Sequence, residues 1–315
     1  MRRITRILGL LCMTAIVAVS ASSCKKNKDN ASFNIQLGQL QGLNMDERAY
    51  IDVYDGCQMK WNLGDEIMIY NLASDYTQSE AKVYTNENGD RVALTTFTSN
   101  DPVSDRFDIG YFYFYPAYKA SGNLQADNRE TFTVANTQTY DENTIFDPTS
   151  LVMAAEVENI TDQVIMDHIF GFLNLKVTSN NPAHLDNIVI TDNSFNLSGE
   201  MSLKLPEVNA ETFTELLNQC ESGDPNYAEN LAAYLQQLGY ESNGDGKTIT
   251  LDCGGTEVNG TKKYFFVSLR PGALLNGGTI TFNFVEDDME PTVLNVEPGQ
   301  FIVKPGWFCN FTCGI

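Results

Sequence analysis

The 315-residue sequence predicts a mainly β protein. Short stretches alternate apolar and polar residues, turn-forming clusters separate them at sandwich-like spacing, and only one segment carries helical spacing. In the first half the alternating stretches are Phe33-Ile35-Leu37, 50–54, 67–70, 92–97 and the aromatic run 111–115. Asn62-Leu63-Gly64-Asp65, 86–90, Asn100-Asp101-Pro102 and Ser121-Gly122-Asn123 punctuate them with turn chemistry. In the second half the candidate strands are 173–177, 188–191, 248–251, 264–269, 279–284, 292–296 and 307–311.

One segment departs from this pattern. Phe213, Leu216, Leu217 and Cys220 fall at helical spacing, as do Leu231, Tyr234, Leu235 and Leu238. Asp224 suits an N-cap with Pro225 at the first helical position, and Gly239 stands where a left-handed terminating residue is wanted. Two helices near 210–239 are expected, packed on the second β unit.

The N-terminus reads as an export signal. Arg2, Arg3 and Arg6 precede an apolar stretch over 7–19, and the small residues Ala21-Ser22-Ser23 stand directly before Cys24. At 1.5 Å per residue the apolar part falls short of the roughly 30 Å hydrocarbon core of a bilayer. Ala-Ser-Ser-Cys resembles the lipobox of bacterial lipoproteins, although Ala21 replaces the preferred leucine. That resemblance implies a lipid on Cys24, a signal peptide at 1–23 and a polar tether at 24–31. The remaining chain divides into an N-terminal β-sandwich domain at 32–160 and a C-terminal one at 161–315, with the boundary placed in the polar stretch near 159–163.

Charge narrows the partners. The chain carries 20 basic and 41 acidic residues, a net charge of −21, and loss of the signal arginines makes the remainder more acidic still. Such a surface repels nucleic acid and anionic membrane faces, so membrane attachment falls to the lipid. Beyond Cys24 the exported chain keeps Cys57, Cys220, Cys253, Cys309 and Cys313, an odd number. In one strand Cys309 and Cys313 stand about 13 Å apart at 3.3 Å per residue, which argues against a disulfide between them.

Within this frame, Trp61-Asn62-Leu63-Gly64-Asp65-Glu66-Ile67-Met68-Ile69-Tyr70 resembles the W..GD.I signature of fimbrillin-like lipoproteins. Tyr113-Phe114-Tyr115-Pro116 resembles that family's aromatic-proline strand end, and Asp147-Pro148-Thr149-Ser150-Leu151-Val152-Met153-Ala154-Ala155 its later loop and strand. The segment 164–177, containing His168, resembles the strand pair that opens its second domain. The order of these motifs, more than any one of them, carries the resemblance over most of the exported chain. It implies two tandem transthyretin-like β-sandwiches, similar to type V pilins, without catalytic machinery. A role as fimbrial subunit or surface adhesin of the outer membrane follows, with related pilin subunits and a host or glycan receptor as partners.

The same residues have plainer readings. Trp61 suits a core, and Gly64-Asp65 a turn into the strand that follows. Tyr111, Tyr113 and Tyr115 share one strand face, as a sugar-stacking platform would require, but alternating aromatics more often pack inside. His168 lies among Met166, Ile169 and Phe170, as a hydrogen-bonded core histidine does, and His184 follows a turn with no evident partner.

No HExxH, GxSxG or strand-linked GxGxxG occurs, so no catalytic residue, metal or cofactor is expected. Gly246-Lys247-Thr248 ends like a phosphate-binding loop but lacks its earlier glycine. Glu241, Asn243, Asp245, Gly246 and Asp252 mimic a calcium loop only in part. Asp287, Asp288 and Glu290 are acids of a kind this composition makes inevitable.

For assembly, the pilin resemblance implies strand addition, in which a removable first strand leaves a groove for a neighbour's strand. Phe33-Ile35-Leu37 is the natural removable strand, and Arg48 the nearest downstream arginine for a trypsin-like protease. One departure is the basic Lys25-Lys26-Asn27-Lys28, where related surface lipoproteins usually carry acids. It leaves both the cell surface and the periplasmic face of the outer membrane open. The alternative function is a surface lipoprotein that captures glycans for nutrition, which would need exposed aromatics in a shallow groove.

Overall fold

The computed structural model describes residues 32–37, 60–72, 80–92, 94–103, 110–122, 129–142, 147–157, 164–204, 241–242, 246–301 and 303–315. Cys24, Arg48, Cys57, Cys220, the expected strand at 50–54, the boundary stretch at 159–163 and the expected helices near 210–239 lie outside them.

The described chain is mainly β. Its first half contains β1 (Ser32–Leu37), β2 (Glu66–Leu72), β3 (Glu80–Asn86), β4 (Leu94–Thr98), β5 (Gly110–Tyr115), β6 (Arg129–Val134), β7 (Thr137–Thr139) and β8 (Met153–Val157). The second half contains β9 (Val164–His168), β10 (Gly171–Thr178), β11 (Ala183–Asp192), β12 (Gly199–Lys204), β13 (Glu241–Ser242), β14 (Thr248–Val258), β15 (Lys263–Leu269), β16 (Gly278–Phe284), β17 (Thr292–Val296) and β18 (Phe308–Gly314). Among the described residues the helical structure is confined to short 3-10 turns at Ala117–Lys119 and Pro148–Ser150.

Seven strands close on themselves in the order β1-β4-β3-β2-β5-β8-β9. The sequence predicts a sandwich here, and the difference comes from β1. It pairs antiparallel with β4 and parallel with β9, so the sheet has no free edge at that seam. The interior is filled by Phe33, Ile35, Leu37, Trp61, Ile67, Ile69, Tyr84, Phe97, Tyr111, Tyr113 and Met166, among others.

Strands β2 and β5 are apolar on both faces for a physical reason. Ile67, Ile69, Tyr111 and Tyr113 point into the barrel, while Met68, Tyr70, Leu72, Phe112 and Phe114 point outward into a second core. That core is capped by the small sheet β13-β12-β6, which contributes Phe132, Val134, Met201 and Leu203. A fully buried acid, Glu130, sits there. It accepts hydrogen bonds from the Tyr70 hydroxyl and from the backbone N–H and hydroxyl of Ser121, and burial raises its pKa.

In the second half, the sheets β15-β10-β18 and β17-β16-β11-β14-β7 enclose one continuous core. Leu173, Leu175 and Val177 of β10 meet Leu185, Ile188 and Ile190 of β11 within it. Backbone pairing crosses residue 160 at several places. β9 belongs to the barrel, β6 pairs antiparallel with β12 over Arg129 to Val134, and β7 pairs parallel with β14. The two strands of 164–177 thus fall in different sheets, joined by Ile169-Phe170. Gly171 opens β10 where a β-carbon would stand 2.2 Å from the carbonyl oxygen of Lys304.

Leu175 is fully buried in the second-half core. Leu175→Ala should lower unfolding free energy by about 2–5 kcal/mol, read by urea titration. A loss within about 0.5 kcal/mol would mark the site as able to collapse or already open.

Candidate functional site

The groove that holds β1 brings together the residues that the sequence singles out. Phe33, Ile35 and Leu37 point inward and are at most 2% exposed. The Phe33 ring lies edge-on to Tyr84 and Tyr113, at centroid distances of 5.1 and 5.6 Å, and tilted against Tyr111 at 6.0 Å. Val103 fixes Tyr84 by donating its backbone N–H to the phenol oxygen at 3.0 Å. Each inward side chain of this size contributes roughly 1.5–3 kcal/mol when buried, so any replacement for β1 must fill the same three positions.

Trp61 grips the strand from below. Its indole N–H donates to the Ile35 carbonyl at 3.1 Å, and its ring meets Phe97 and Tyr115 edge-on at 5.0 and 5.2 Å. The position of Trp61 is set by a backbone bridge to Val92, with N···O distances of 2.7 and 3.2 Å. The turn after it explains the rest of the signature. Gly64 has a φ of +88°, a region that resists side chains, and donates to the Asn86 carbonyl at 2.8 Å. Asp65 accepts from the Asn62 N–H at 2.7 Å and from the Tyr115 hydroxyl at 3.3 Å, while its burial raises its pKa.

Asn86 has a role that sequence reading assigned only to a turn. Fully buried, it donates to the carbonyls of Asn62 and Gly89 and accepts from the Gly89 N–H and the Thr95 hydroxyl. It therefore ties the Trp61 turn to the β3–β4 connection. Its place at the head of a polar cluster was the only visible signal.

Other singled-out residues have structural roles. Tyr111 and Tyr113 are fully buried, so they form core and no sugar platform. His184 has a partner that the sequence did not reveal, since its Nδ1 lies 2.6 Å from Glu286 and this bond lowers the Glu286 pKa. Gly246-Lys247-Thr248 leads into β14, and Lys247 donates to the Asn193 carbonyl. Asp287 and Asp288 are exposed in the β16–β17 turn. Cys253 and Cys313 are free thiols, and burial pushes Cys313 up to about 12. Among the described residues no three His, Cys, Asp or Glu side chains are grouped to hold a metal ion.

His168 corrects one expectation. It is a core histidine at the barrel's exit into β10, yet neither ring nitrogen has a hydrogen-bond partner among the described residues. The ring instead stands edge-on to Phe172 at 5.5 Å. Apolar surroundings supply no acceptor, and burial pushes its pKa from 6.5 down to about 4.

Comparison with protein-family models finds no match, and comparison with curated proteins finds none either. Solved structures do align along nearly the whole chain. A candidate cell adhesion protein from Bacteroides uniformis is 14% identical, covers 92% of this chain and 94% of its own, and gives a TM-score of 0.49. Another from Bacteroides ovatus is 15% identical over 89% of this chain and 91% of its own, with a TM-score of 0.47. The tip fimbrial protein Mfa3 from Porphyromonas gingivalis is 7% identical over 84% and 81%, with a TM-score of 0.33. These are the kinds of protein that the sequence resemblance names, but such loose likeness assigns no role to any residue.

Two outcomes follow from the geometry. Trp61→Phe keeps an aromatic ring but removes the indole donor, so hydrogen exchange in β1 should quicken and stability fall by about 1–3 kcal/mol. Unchanged β1 protection would refute the grip. For His168, the unfolded chain binds the proton at higher pH than the folded one. Stability should therefore decline as pH falls from 6.5 toward about 4, by up to about 3 kcal/mol, and not further from this group below that. Denaturation midpoints across that window should flatten in His168→Leu, and an unaltered slope would assign the effect elsewhere.

Proposed function

We propose that this chain is a lipid-anchored fimbrial subunit or cell-surface adhesin of the outer membrane, without enzymatic activity, and that β1 is the element exchanged during assembly. The anchor is the lipidated Cys24, and the two β units follow the tandem transthyretin-like plan that the motif order implies. Related subunits are the partners in assembly, and a host or glycan receptor is the target of adhesion.

The observation that carries this reading is the seating of β1. It is the first described strand, its ladders with β4 and β9 close the barrel, and its inward side chains plug the core. Withdrawing it leaves backbone donors and acceptors on both flanks and three apolar pockets between them, which is what strand addition fills. The motif series from Trp61 onward supports the same reading, because Trp61 belongs to that groove.

In cells that assemble the protein, Arg48→Ala should block removal of the first strand and leave monomers where the native protein forms ladders on electrophoresis. Normal processing and polymerisation of the variant would sink the Arg48 assignment. Protease shaving of intact cells tests display at the surface, and complete protection would place the protein on the periplasmic face. The nutritional reading separates on a glycan array, where selective sugar binding by a form that never polymerises would favour it.

A further inference from the structure

The five-stranded sheet turns one face to solvent. Ile188, Ile249, Ile280 and Phe282 point into the second-half core, so the residues that alternate with them point outward. Cross-strand register sets these outward residues in ranks. Thr137 of β7, Thr250 of β14, Val189 of β11, Thr281 of β16 and Val293 of β17 form one line across all five strands. Thr248, Thr191 and Thr279 stand in a second rank on one side of it, and Asp252, Asn187 and Asn283 in a third on the other. Each of these side chains is half-buried or exposed. The outward face of the three-stranded sheet differs, since Phe172, Asn174 and Lys176 of β10 are all buried.

Chemically the open face is a plane of hydroxyls, amides and methyl groups. Neighbouring strands space them about 4.8 Å apart, and successive ranks about 6.7 Å. The first two ranks hold no charge, although the chain carries 20 basic and 41 acidic residues. Charge enters only at the margin, with Asp252 and with Asp186 in the bulge beside Asn187. The amides there are already oriented, since Asn283 donates to Asn187 at 2.7 Å and Asn187 to Asp186 at 2.7 Å. The hydroxyls of Thr250, Thr279 and Thr281 have no hydrogen-bond partner among the described residues.

These features select a ligand class. No lysine or arginine stands in the ranks to pair with phosphate, sulfate or carboxylate. The aromatic and arginine anchors that carry protein interfaces are missing from them too. A neutral sugar polymer matches, because it is uncharged and sets hydroxyls beside C–H groups as the face does. Resting on the adhesin reading, we infer that this face is the receptor-binding surface and that its ligand is a neutral polysaccharide laid across the strands. Threonine hydroxyls and asparagine amides exchange hydrogen bonds with the sugar hydroxyls, while the methyl groups of the middle rank meet the sugar C–H groups. A shallow face without a pocket binds weakly in a single copy. Many copies on one surface hold a long polymer through avidity.

The test runs the full chain in native gels that contain dextran, galactomannan, mixed-linkage β-glucan or anionic polygalacturonate, and retardation against polymer concentration gives a dissociation constant. At least one of the three neutral polymers should retard the protein, and polygalacturonate should not. Thr250→Lys with Thr281→Lys should raise that constant about tenfold through two lost hydrogen bonds. If the lysines lower the urea midpoint, Thr250→Ala with Thr281→Ala takes their place. Tyr118→Ala with Trp307→Ala, exposed aromatics off this face, should change nothing. Retardation by none of the neutral polymers would overturn the inference, as would loss in the aromatic variant while the threonine variants bind normally. A concentration-dependent dimer that the threonine changes abolish would give the face to a second copy and overturn it as well. Cells that display the protein separate this inference from the reading beneath it. Adhesion that neutral polysaccharide does not inhibit leaves the adhesin standing while the inference falls, and no adhesion beyond that of cells lacking the protein sinks both.

Discussion

Strand β1 is bonded along both edges, and that double ladder turns a curved sheet into a closed one. Closure places Phe33 within the aromatic group of Tyr84, Tyr111 and Tyr113, and it gives the Trp61 indole a carbonyl to meet in an otherwise apolar interior. An indole N–H left unpaired in such a place is costly. The turn that sets Trp61, the Asn86 network beneath it and the Asp65 bond to Tyr115 are therefore supports for one seam.

Much of this was legible from periodicity. Alternation located β1, β2, β5, β10, β11 and β14 to β18, with β17 agreeing residue for residue, because a half-buried strand writes its burial into every second position. Trp61 as core and Gly64 as the turn residue were equally visible. Less was legible where a strand is buried on both faces, as in β5, since a run such as Tyr111-Phe112-Tyr113-Phe114 does not say which core receives which ring. Parallel closure by β9 and the pairing of β6 with β12 depend on contacts between distant segments, which leave no local trace.

The polar interior taught a different lesson. For His168 the neighbours in sequence correctly announced burial but could not announce the lack of an acceptor, because acceptors come from segments far along the chain. Asn86 shows the converse, a turn residue that becomes a buried hub once Asn62, Gly89 and Thr95 converge on its side chain. Glu130 belongs with it, an acid kept in a core by a phenol and a serine. Buried polar groups of this kind are specified by the fold as a whole.

The parallel pairings have a mechanical meaning. β1 lies parallel to β9, β9 runs through two residues into β10, and β10 lies parallel to β18 near the other end of the chain. A pull on the N-terminal end of β1 against the C-terminal end of β18 slides each strand along its neighbour, so every bond of a ladder bears load together. Peeling, in which bonds break one after another, is avoided at both ends. Force applied at those two ends would pass from β1 through β9 and β10 to β18 as shear along two parallel ladders.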